Sequence, residues 1–148
     1  MHIDWAIPCR YVEVHDNLGT IIGAGVDTYW VRDLPTTIQV VLAIRVLGMA
    51  DELTEEVAHS SANRVRDPSG EIVSEISGDF RIGAEVVRED WLTGFIVSSV
   101  VQFEVTQEGT YTIDTDVDGS SQSLPIHVVH GTPPGTEWPE VPDEPENP

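Results

Sequence analysis

The chain has no lysine. Its seven basic residues are all arginine, set against 26 acidic ones, for a net charge of −19. A surface this negative repels phosphate backbones and anionic headgroups, so neither nucleic acid nor a membrane surface is an expected partner. Cysteine is nearly absent too. Cys9 stands alone, which rules out an intrachain disulfide and fits a reducing compartment. No segment approaches the roughly 18 apolar residues of a membrane-spanning helix. The opening MHIDWAIPCRY lacks a basic start followed by an apolar run, so no secretory leader is expected. The expected location is the cytoplasm, or a particle assembled there.

Catalytic signatures are missing as well. There is no G-x-S-x-G elbow. Gly23-Ala24-Gly25 lacks a third glycine and a lysine that could reach phosphate; glycines there suit a bulge or a close backbone approach. His127 and His130 would share a face only on a helix, and on a strand they point apart. Cys9 has Arg10 beside it but no histidine at a supporting spacing, so a buried, inert thiol is expected. The expectation is a protein that is not an enzyme, with no cofactor and no metal.

What the chain does have is period-two patterning. From Phe95 to Val105, Phe95, Val97, Ser99, Val101, Phe103 and Val105 share one face, which predicts a half-buried strand. Tyr111, Ile113, Thr115 and Val117 repeat the pattern, Asp118-Gly119 marks a tight turn, and a last strand follows near 123–129. Residues 38–46 are apolar on both faces and should form a central strand. Asp67-Pro68-Ser69-Gly70 should turn between strands near 57–66 and 71–77. Further strands are expected at 2–7, 10–15 and 20–31, with a turn at 16–19. Met49, Leu53 and Val57 lie four apart, which allows at most one short helix near 50–57, capped by Asp51. The connection at 83–94 is long.

These elements predict an all-β fold, an immunoglobulin-like or Greek-key β-sandwich of seven to eight strands over residues 1–130. Residues 131–148 hold most of the chain's ten prolines, with acidic residues and no basic one. They are expected to form a disordered acidic tail.

The element order, Ile21-Ile22-Gly23-Ala24-Gly25-Val26 near the start, and Glu108-Gly109-Thr110-Tyr111 with Asp118-Gly119 near the end resemble a family of small bacterial single-domain β-sandwich proteins of uncharacterised function. The resemblance covers roughly 4–129. It implies the fold and brings no catalytic residues.

Three groups of residues are candidates for binding. Asp114, Asp116 and Asp118 match the first half of a calcium loop, but the position that needs a bidentate glutamate is Pro125. On a strand, like charges in a row favour a basic partner. Trp91, with Glu89 and Asp90, has the makings of a sugar-stacking site. Trp138 and Val141 are the large apolar residues of the tail, a possible docking point. The leading expectation is a non-enzymatic protein-binding or assembly module, with a protein partner or a homo-oligomer. The alternative is a carbohydrate- or calcium-binding sandwich.

Overall fold

A residue run that is apolar on both faces can be buried only between two neighbours. Residues 36–48 meet that condition in a computed structural model, which describes residues 1–15, 18–83 and 88–136. Among the described residues the chain is all-β, with ten strands and no helix. They are β1 (His2–Cys9), β2 (Tyr11–His15), β3 (Leu18–Ile22), β4 (Thr28–Val31) and β5 (Thr36–Gly48). The second half gives β6 (His59–Arg66), β7 (Ile72–Phe80), β8 (Thr93–Val105), β9 (Gly109–Val117) and β10 (Ser120–His130). β5 is the middle strand of a three-stranded sheet, β1-β5-β8. A five-stranded sheet runs β4-β10-β9-β6-β7, and β2 pairs only with β3.

The two larger sheets share one core. Val40, Leu42, Ile44 and Val46 of β5 and Val101, Phe103 and Val105 of β8 pack with Tyr111, Ile113 and Val117 of β9 and Ile126 and Val128 of β10. The alternation read from Phe95 and from Tyr111 is the alternation that is buried. Asp118 and Gly119 both take positive φ, 52° and 82°, as a two-residue hairpin turn requires. Asp67 closes its turn by accepting from the backbone N–H groups of Ser69 and Glu71.

Ten strands replace the expected seven to eight. One reason is at 20–31, where Gly23 and Gly25 take positive φ, 65° and 80°, and break the expected single strand. A Cβ on Gly23 would come within 2.9 Å of Arg10 Cγ, the close approach its glycine suggested. β3 therefore turns back on β2, while β4 joins the larger sheet parallel to β10. The expected turn at 16–19 falls partly on Asp16 and Asn17, outside the described residues. The short helix near 50–57 is also replaced. Leu53 N bonds Ala50 O and Val57 N bonds Thr54 O in successive turns. The segment is too short to offset helix nucleation, and the buried Leu53 anchors it to the core instead.

The sheets are tied by hydrogen bonds on both sides. The Gln122 amide on β10 accepts from Ala6 N at 2.8 Å and donates to Ala6 O at 3.3 Å, completing part of the free edge of β1. On the other side, the Ser74 hydroxyl donates to Gln102 O at 3.2 Å. Towards Phe80 and Ile96 a cleft lies between the layers.

Candidate functional site: a polar cleft between the sheets

The cleft has a volume of about 360 Å³, within the range of small-molecule sites. Its walls are mostly apolar: Ile44, Phe80, Ile82, Val97 and Val117 line it, with Val14 of the β2–β3 hairpin. Its floor is different. Asn63 on β6 and Thr115 on β9 are direct cross-strand partners, so both side chains project to the same face. They are 5% and 1% exposed. The Asn63 Nδ2 donates to Ser99 Oγ at 2.9 Å. Among the described residues, Asn63 Oδ1 and Thr115 Oγ1 have no hydrogen-bond partner. Turning the amide over would let the Ser99 hydroxyl donate instead and leave an N–H unpaired. One end of the amide is orphaned either way. Each unpaired buried group costs about 1–3 kcal/mol.

At the end of β6, His59 forms a second cluster. It is 2% exposed. Its Nδ1 is 2.8 Å from Asp118 Oδ2 and its Nε2 is 2.7 Å from Glu52 O. Each ring nitrogen therefore faces one acceptor, and the ring bridges the two. Burial alone would raise the Asp118 carboxyl, but hydrogen bonds from His59 and Ser60 hold it below its usual value. The Met1 ammonium bonds Glu52 and, with the Met49 N–H, lowers that carboxyl too.

The residues singled out in the sequence are placed as follows. Asp114 and Asp116 share a face of β9, but Asp118 leaves the row because its positive φ turns it to His59. Each carboxylate is separately engaged: Asp114 by Ser123 Oγ and Arg66 Nε, Asp116 by Gly119 N, and Asp118 by His59 and Ser60 N. No group of three His, Cys, Asp or Glu residues among those described could hold a metal ion. Trp91 is exposed, but the Arg88 guanidinium lies 5.1 Å from its ring centroid and also forks onto Asp90. Glu89 lies apart from that pair, on an open hollow beside Asp51 and Thr54. His127 bonds Thr110 and His130 bonds Arg32 O, so they act separately. Cys9 is free and buried, and burial raises its thiol pKa. Trp138 and Val141 lie outside the described residues.

The engaged carboxylates set a pH dependence. The Ser123 hydrogen bond, then Arg66, holds Asp114 below its ordinary 3.8. A lowered folded-state pKa stabilises the fold above the unfolded value, and that contribution is lost as pH falls through the folded value. The melting temperature should therefore fall below about pH 4. Asp114→Asn should flatten part of that fall in a series of melts from pH 7 to pH 2.5. An unchanged acid limb would sink the assignment.

Fold and cleft together define an all-β protein with a polar-floored cavity between its layers. Residues 4–129 match a protein family described as a family of unknown function, DUF6941, and the chain belongs to that family. No curated protein matches the chain. No helix among the described residues is long and apolar enough to cross a membrane.

Proposed function

We propose that this protein is a non-enzymatic protein-binding or assembly module built on an immunoglobulin-like sandwich. The pairing order supports the fold: β1-β5-β8 forms one layer, and the other runs from β4, parallel to β10, through β9 and β6 to β7. The Tyr111 hydroxyl donates to Gln107 O four residues upstream at 3.1 Å, the geometry of a tyrosine corner at the start of β9. Immunoglobulin-like sandwiches commonly serve as contact surfaces, an argument by analogy.

The observation that carries the function is the β2–β3 hairpin. It exposes Tyr11, Leu18 and Ile22 on the face away from the cleft, with Leu18 76% accessible. Its tight packing is confined to its underside, where a Cβ on Gly19 would meet Ile96 Cδ1 at 2.5 Å. Single exposed apolar residues are common, but a cluster on one short hairpin marks a contact surface. The strong negative charge suits a partner with a cationic rim. The calcium reading is less favoured, because Asp114, Asp116 and Asp118 are already paired within the chain.

The test is affinity purification from native lysate with the full chain, beside a Leu18→Ser, Ile22→Ser double variant. The wild type should enrich one partner, or a second copy of itself, and the double variant should lose it at an unchanged melting temperature. Identical capture by both proteins would refute the hairpin surface.

A further inference from the structure

We propose that the cleft between the sheets is a binding site for a small neutral amphipathic molecule with an apolar body and a hydroxyl or primary amide head. The proposal goes beyond the hairpin surface and does not depend on it.

The floor decides the head group. Asn63 Oδ1 can only accept a hydrogen bond, and Thr115 Oγ1 can accept or donate. A group that donates one hydrogen and accepts another satisfies both. Hydroxyls and primary amides do this in either orientation of the Asn63 amide, whereas a carboxylate has no hydrogen to offer Oδ1 when Nδ2 is held by Ser99. The walls decide the body. Ile44, Phe80, Ile82, Val97 and Val117 present hydrocarbon to the occupant. The polyhydroxylated surface of a sugar would lose its water there without replacement.

Charge completes the selection. The exposed Arg81 lines the cleft and donates to Glu55 O, so it disfavours a cation. A carboxylate head would shed its water against apolar walls with only the exposed, solvent-screened Arg81 to answer it. Among the described residues no carboxylate lines the cleft to neutralise an ammonium. A neutral molecule remains. The two orphaned atoms are a feature independent of the cavity, and both belong to residues that line it. The inward positions next to them on β6 and β9 include Val65, Ile113 and Val117. Polar groups at this spot, facing Ser99 across the layers, gain their missing partners when the cleft is filled.

The experiment uses the isotopically labelled full chain and four probes that share one alkyl body: 1-hexanol, hexanamide, hexanoate and hexylammonium. Binding is followed by NMR at the Asn63 side-chain amide, the Thr115 backbone amide and the methyls of Ile44 and Val117. Hexanol and hexanamide should shift these signals saturably at millimolar concentration. The two charged probes should bind at least ten-fold more weakly. Thr115→Val keeps the side chain's shape and removes its hydroxyl; it should weaken hexanol binding at least three-fold without lowering the melting temperature. Val97→Phe, with its fold checked by circular dichroism, should abolish binding of all four. The hairpin double variant should bind the probes like wild type, so loss of the partner surface and loss of the cleft site read out separately. No saturable shift at these positions, equal binding of charged and neutral probes, or an unchanged affinity in Thr115→Val would each overturn the proposal.

Discussion

Tyr111→Ala is expected to lower the unfolding free energy by about 3–5 kcal/mol, and Tyr111→Phe by about 1–2 kcal/mol. The larger loss comes from packing. Tyr111 is fully buried and its ring lies 5.4 Å from that of Phe103, so it joins β9 of one layer to β8 of the other. Truncation removes those contacts and leaves a cavity that close-packed neighbours fill only in part. The smaller loss isolates the hydroxyl. Without it, Gln107 O loses its donor and the bend before β9 loses its tie. The bend is constrained elsewhere too. Gly109 takes φ 139°, and a Cβ there would come within 2.8 Å of Pro68 Cγ. With one cysteine the chain has no disulfide between its layers, so this aromatic contact has no covalent support. A domain of this size is typically stable by about 5–15 kcal/mol, so the alanine variant should sit near the edge of folding. Urea denaturation of the three proteins measures both steps. A phenylalanine variant with the wild-type midpoint would show that the hydroxyl contributes nothing.

The strands that follow strict alternation were legible in the sequence because one physical cause, a buried face against a wet one, writes the pattern and fixes the structure. β8, β9 and β10 are of this kind, while β5 was marked by apolar residues on both faces. The division of 20–31 into β3 and β4 was less legible. Glycine permits positive φ without requiring it, and only the pairing of β4 with β10 decides the outcome. The segment at 50–57 showed helical spacing, but a spacing of four over so few residues is equally met by turns around one anchored leucine. Gln122 gave no signal at all, because its role depends on where β1 comes to rest.

The cleft was half visible. Ser99 and Thr115 stand on the core faces of their strands, between apolar neighbours, and a polar residue at such a position needs an explanation. The alternation that located the strands therefore also marked two of the three floor residues. Asn63 was hidden, since His59 to Arg66 has no clean apolar alternation to set it against. The acidic residues drew attention by their number and spacing, but spacing along a strand says nothing about cross-strand partners. Ser123 and Arg66 answer Asp114, and the turn swings Asp118 away.

His59→Ala is expected to cost about 2–4 kcal/mol, a loss out of proportion to the modest size of the side chain. The buried imidazole joins three segments that are far apart in sequence: β6, the 50–57 turns through Glu52 O, and the β9–β10 turn through Asp118. Alanine leaves the Glu52 carbonyl and the Asp118 carboxylate without this partner. That carboxylate keeps Ser60 N as a donor, which places the loss below that of a fully stranded ion. The ring also lies 5.6 Å from that of Phe80, a wall of the cleft, so the substitution should shift the NMR signals of the cleft. Asp118→Asn separates charge from packing. In a double-mutant cycle the two substitutions should be non-additive by about 1–2 kcal/mol, because either one breaks the same pair. His59→Gln should recover part of the loss, since its amide nitrogen can donate to one acceptor but lacks the ring that sets nitrogens towards both. Strict additivity in the cycle would mean that His59 acts through its volume alone and that its contact with Asp118 contributes nothing to holding the turns on the core.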